Sequence, residues 1–171
     1  MRGPLVATCI VLFVVGSAQS SNAQAEVPLK APTYYLAART ANCTQHEIKI
    51  VGATNVPPGA IVLINVTEFV EDGWKDASAN YYATVQEKGS FETTVKANAN
   101  TKFHRNLVAR VVFGPAYHPQ PTGVLTVVGR RGERLALNNN PQLGQPSGEN
   151  YSIETIARVS GCPSSDANSR Q

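Results

Sequence analysis

The sequence predicts an all-β protein, a single antiparallel β-sandwich of about seven to nine short strands. Three observations predict it. Apolar and polar residues alternate through most of residues 33–159, the period-two signature of strands with one buried face. Clusters of Gly, Pro and Asn separate the alternating runs, as turns between strands require. No segment shows the 3.6-residue apolar period of a capped amphipathic helix.

Residues 34–39 form an edge segment, and Pro28, Pro32 and Arg39 look like ordinary edge protection. In residues 46–50, Ile48 and Ile50 share a face while Glu47 and Lys49 take the other. Residues 60–66 are apolar on both faces, which suits a central strand. Residues 81–86 put Tyr81, Ala83 and Val85 inward and Tyr82 outward. Phe91, Thr93, Val95 and Ala97 oppose Glu92, Thr94 and Lys96. Leu107, Ala109, Val111 and Phe113 oppose Asn106 and Arg110. Residues 124–128 read as a further strand, and 134–137 as a short extra one. The last strand sets Tyr151, Ile153, Thr155, Ala157 and Val159 against Ser152, Glu154 and Arg158. Between them, residues 55–59 make a Pro-Pro-Gly turn, and Lys88-Gly89-Ser90 joins its two neighbours as a tight hairpin.

Four segments follow from composition. Residues 1–25 read as a secretory signal: Arg2, an apolar run over 5–15, and the small-x-small sequence Ala23-Gln24-Ala25, with a competing site after Ala18. The apolar run falls short of the roughly 20 residues a spanning helix needs, so no membrane insertion is expected after the signal is removed. Residues 26–32 are an N-terminal extension, 33–162 the sandwich, and 163–171 a small, polar, disordered tail. The formal net charge of +3 is too small to imply nucleic-acid binding. Of 3 cysteines, Cys9 leaves with the signal. Cys43 and Cys162 remain without CxxC spacing and are expected to form a disulfide in a secreted or periplasmic setting.

Two stretches carry a resemblance. One is Ile50-Val51-Gly52-Ala53-Thr54-Asn55-Val56-Pro57-Pro58-Gly59-Ala60. The other runs from Gly89-Ser90-Phe91 to Val127-Val128-Gly129-Arg130-Arg131-Gly132-Glu133-Arg134-Leu135. Over residues 46–137 the chain resembles the immunoglobulin-like β-sandwich modules of secreted bacterial proteins. The resemblance implies an accessory or adhesive domain with no shared catalytic residues. This chain departs in its end-to-end cysteine pair and in placing Trp74 in a polar loop.

Chemical motifs are sparse. His46, His104 and His118 form no HxH or HExxH pattern. Residues 68–76 gather Glu68, Glu71, Asp72 and Asp76 without EF-hand order and read as a solvated interstrand loop. Ser147 is not in a nucleophile elbow. Arg130, Arg131 and Arg134 make a basic tip that reads as a solvated turn. Loop aromatics are the remaining candidates: Trp74, Tyr82, Tyr117 and His118. No catalytic, metal or cofactor residue is assigned, and no cofactor is expected.

The expected function is therefore that of an exported, non-catalytic binding or structural module of the envelope or extracellular space, mediating protein interaction. The partner is an unknown protein or an envelope polysaccharide. Carbohydrate binding through Trp74 and Tyr82 is one alternative. Protease inhibition by the Gly114-Pro115-Ala116-Tyr117-His118-Pro119 loop is another.

Overall fold

Most of the alternating runs fold as strands. A computed structural model describes residues 32–70, 73–99, 102–103, 106–144, 148–159 and 162. The expected signal at 1–25, most of the extension and the tail at 163–171 lie outside the described residues. The strands are β1 (Leu36–Cys43), β2 (Glu47–Thr54), β3 (Ile61–Val70), β4 (Gly73–Asp76), β5 (Tyr81–Thr84), β6 (Ser90–Lys96), β7 (Leu107–Phe113) and β8 (Ile153–Arg158). They pair antiparallel in two packed sheets, one ordered β1-β2-β6 and the other β4-β3-β7-β8, with β5 also on β3. The all-β sandwich expected from alternation is thus present.

The core lies between the sheets. Ile48 and Ile50 of β2, Val95 of β6, Val62, Ile64 and Val66 of β3, and Ala109, Val111 and Phe113 of β7 are fully buried. Burying each large aliphatic side chain contributes about 1.5–3 kcal/mol. β3 is central, with β7 on one side and β4 and β5 on the other. Gly52 answers a packing demand, because a Cβ there would lie 2.0 Å from the Phe91 ring. Gly89 combines φ +74° with a carbonyl, that of Thr54, 2.2 Å from where its Cβ would stand.

Four expectations need correction. Residues 124–128 are not a strand but the end of a helix, α1 (Thr122–Val128), entered from Pro121 at φ −56°. Val124 and Val128, four apart, bury one helical stripe, and that tertiary contact overrides the strand preference of β-branched residues. Residues 134–137 are not a strand either: Glu133–Ala136 form a 3-10 helix that buries Leu135. The Lys88-Gly89-Ser90 turn is tight, with the Gly89 N–H donating to the Gln86 carbonyl at 2.8 Å. However, it carries the chain from one sheet to the other, so β5 and β6 are not hairpin partners. Finally, Trp74 is in a strand: Glu68 to Asp76 fold largely as the β3–β4 hairpin, where Phe69 faces Trp74.

The sheets are tied where β1 approaches β8. Cys43, at the end of β1, is bonded to Cys162 beyond β8, with Cα atoms 4.7 Å apart at a sequence separation of 119. A link closing so long a loop contributes about 2–4 kcal/mol. Nearby, the Thr40 hydroxyl donates to the Arg158 carbonyl at 3.4 Å.

The start of β1 is held by a side chain. Gln142 accepts from the Leu36 N–H through Oε1 and donates to the Leu36 carbonyl through Nε2, both at 2.6 Å. Its own carbonyl accepts from Glu154 of β8 at 2.9 Å. One residue thereby bridges the two sheets. The asymmetry of an amide makes a sharp test. Gln142→Ala orphans a donor and an acceptor and is expected to lower unfolding free energy by about 1–3 kcal/mol. Gln142→Glu offers only acceptors and sets a carboxylate against the Leu36 carbonyl, so its urea midpoint at neutral pH is expected to fall further than that of Gln142→Ala.

Tyr34 is buried beside this clamp. Burial raises its phenol pKa, and the Arg134 charge opposes that rise only in part. The phenol is thus neutral in the folded state at pH values where the unfolded chain releases its proton. Stability from this group is complete below about pH 10 and is lost as pH climbs through the raised value. Urea titrations between pH 8 and pH 11 are expected to show an alkaline fall in midpoint that is smaller in Tyr34→Phe.

Candidate functional site

The two outer faces of the sandwich differ in chemistry. On β1-β2-β6 the outward positions include Arg39, Lys49, Glu92 and Lys96. Lys49 pairs with Glu92 at 3.0 Å and Lys96 with Glu47 at 3.8 Å. Exposed pairs of this kind add little stability, but they make a solvated surface.

The outer face of the five-stranded sheet is built otherwise. Residues directly opposite in antiparallel strands share a face. Register therefore places Phe69 beside Trp74, and Thr67 between Asp76 and Val108. It also places Arg110 between Asn65 and Ile156, and Leu63 between Tyr82 and Val112. Phe69 is 53% exposed, Trp74 60% and Ile156 62%. The Phe69 and Trp74 rings meet edge to face, centroids 5.3 Å apart. With Val108, Val159 and Asn106 they line one open depression, in which Arg158 is the charged residue.

A second, more polar cleft adjoins it. Its floor is the half-buried Leu63 with the buried Val112 beneath, and its rim carries Asn65, Thr67, Asp76, Asn80, Arg110 and Tyr117. Asn65 Nδ2 donates to Asn80 Oδ1 at 3.2 Å. Arg110 donates to Glu154 Oε2 from Nε at 3.0 Å and from Nη2 at 2.5 Å. Burial acts to lower the Arg110 pKa. The hydrogen bonds and attraction of Glu154, with help from Tyr117, outweigh it and leave the value raised.

All four sequence-predicted contact residues reach this face, but not one spot. Trp74 sits with Phe69. Tyr82 sits at the far end of the cleft with its ring 4.5 Å from that of His118, and Tyr117 lies under the Arg110 guanidinium at 6.0 Å. Phe69 and Leu63, which mark the two ends, are six residues apart on β3, about 20 Å at a strand's rise of ~3.3 Å per residue. The 114–119 loop is laid against the sheet instead of standing off it. Gln120 fastens its exit, accepting from the Ile61 N–H at 2.8 Å and donating to the Ile61 carbonyl at 2.9 Å.

Sequence reasoning missed Phe69, Val108 and Ile156. A signal existed. Ile156 interrupts the polar series Ser152, Glu154 and Arg158 on β8, and Phe69 keeps outward phase with Leu63, Asn65 and Thr67.

Other candidates fall elsewhere. The basic tip is partly engaged within the chain: Arg131 pairs with Glu149, and Arg134 donates to the Val127 carbonyl at 2.9 Å, at the end of α1. His46 is exposed, and among the described residues no group of His, Cys, Asp and Glu is placed to hold a metal ion. Glu71, Asp72, His104 and Ser147 lie outside the described residues. No family model matches the chain, and neither a curated protein nor a solved structure does.

Trp74 is the chain's single tryptophan, so its emission reports this face alone. The folded protein is expected to emit like a water-exposed indole, to be quenched freely by acrylamide, and to change little in wavelength on denaturation. A blue-shifted, quencher-resistant emission would contradict the exposed position.

Proposed function

We propose that this chain is an exported, non-catalytic binding module that docks a protein partner on the outer face of its five-stranded sheet. The carrying observation is the contrast between the faces: one is solvated by ion pairs, the other exposes Phe69, Trp74 and Ile156 together. Contiguous exposed apolar surface marks interaction sites, and tryptophan and arginine are the residues that dominate protein interfaces. Arg158, as the charged group of the depression, favours an apolar segment that bears a carboxylate. The Cys43–Cys162 disulfide supports export, since such bonds persist in oxidising compartments.

An immunoglobulin-like topology is part of the same reading. In its support, β2 lies between β1 and β6 while β3 and β7 are neighbours with β8 beyond, the order in which strands A, B, E and C, F, G lie in such sandwiches.

A random-peptide display library, selected on the protein and counter-selected on Trp74→Ala, tests the docking proposal. Enriched peptides are expected to combine apolar residues with Asp or Glu. Their affinity is expected to fall about 30-fold or more in Trp74→Ala, to weaken in Arg158→Glu, and to be unchanged in Lys49→Ala on the opposite face. No enrichment over the Trp74→Ala background, or equal loss in Lys49→Ala, would sink it.

A further inference from the structure

We infer that the polar cleft beside the docking patch is a separate binding site for an uncharged oligosaccharide. The inference does not rest on the protein-docking reading, because it uses different side chains and a different chemistry. A sugar ring presents C–H faces and, around its rim, hydroxyls that both donate and accept. The cleft presents the complement, with the half-buried Leu63 as its accessible aliphatic floor, an aromatic wall at Tyr117 and short polar side chains above.

The hydrogen-bonding inventory is specific. The Asn65–Asn80 bond uses one donor and one acceptor of the two amides. It leaves the Asn65 oxygen and the Asn80 amide hydrogens for a ligand, a paired acceptor and donor on neighbouring groups. The Asp76 carboxylate and Thr67 hydroxyl stand on the adjacent row of the sheet. A few well-placed polar groups around an apolar floor are how small-molecule sites fix orientation. Leu63 continues the surface to Tyr82, directly opposite it and 44% exposed, where a second sugar unit would meet an aromatic ring.

Charge selects the class of sugar. Arg110 is the cationic rim residue, and Glu154 already engages it through two nitrogens. That leaves Asp76 as the net charge of the cleft. A uronate, sulfate or phosphate would face a carboxylate without a free guanidinium to balance it. A neutral glycan meets no such penalty.

Affinity electrophoresis of the protein, in the form its own host produces, tests the inference. The gels would contain a neutral polymer (mixed-linkage β-glucan, xylan, galactomannan or glycogen) or the acidic polymer alginate. At least one neutral polymer is expected to retard migration and alginate is not. Asn80→Ala and Asp76→Ala, both at exposed positions, are expected to weaken that retardation about tenfold or more, with unchanged circular dichroism. Trp74→Ala is expected to bind the glycan within about twofold of wild type, which separates this site from the patch. Asp76→Asn keeps an acceptor while removing the charge, and is expected to retain the neutral ligand. No retardation by any neutral polymer would overturn the inference. So would preference for alginate, full binding by both Asn80→Ala and Asp76→Ala, or equal loss in Trp74→Ala. Selection of peptides that compete at Asn80 but not at Trp74 would replace the sugar with a protein ligand in this cleft.

Discussion

Strand register is the constraint on which this structure depends. Side chains alternate with a period of two, so shifting β3 by one residue would carry Val62, Ile64 and Val66 to solvent and bring Asn65 and Thr67 into the core. The buried row on β3 thereby dictates its outward row, and pairing passes that assignment to β4, β5 and β7, and through β7 to β8. Exposure of Phe69, Trp74 and Ile156 is then not a packing accident that a small slip could relieve. The same phase that fills the core commits those three to water.

Where the chain obeys one periodicity and one buried face, its sequence was readable. β2 and β6 followed directly, because their large apolar residues sit at alternate positions with charges or threonines between them, and β7 followed from Leu107, Ala109, Val111 and Phe113 set against Arg110. The central place of β3 was readable from its doubly apolar stretch. The helix was not. Thr122–Val128 is rich in β-branched residues, and only contacts made far away in the chain reveal that Val124 and Val128 face one surface. From sequence Trp74 reads as a loop residue because its polar neighbours also suit a hairpin, and a short edge strand carries too few positions to show alternation. The disulfide was legible from compartment and parity. The site itself was half legible: the aromatic residues stood out singly, whereas their assembly on one face required the register.

Amide side chains perform much of the joining in this sandwich. Gln142 treats Leu36 as a neighbouring strand would, giving and taking one hydrogen bond, and Gln120 does the same for Ile61. Asn140, itself buried, holds the carbonyls of Tyr34 at 2.8 Å and Leu135 at 3.2 Å. These residues lie in irregular segments, where backbone pairing is interrupted and buried polar groups would otherwise lack partners. Glutamine suits the task because its amide presents a donor and an acceptor side by side, as a peptide group does. The long connection between β7 and β8 is thus part of the framework that keeps the binding face in place.

The cysteine pair also decides how the domain would behave under tension. Every strand after β1 lies inside the covalent loop between Cys43 and Cys162. A load applied at the two ends of the described chain could peel away β1, but would then run through the sulfur–sulfur bond and bypass the sheets. The strands that carry Phe69, Trp74 and Ile156 would remain folded while the chain outside the loop was drawn taut. As a link between a fixed surface and a moving one, this domain would lengthen only by the chain outside the loop and would keep its grip.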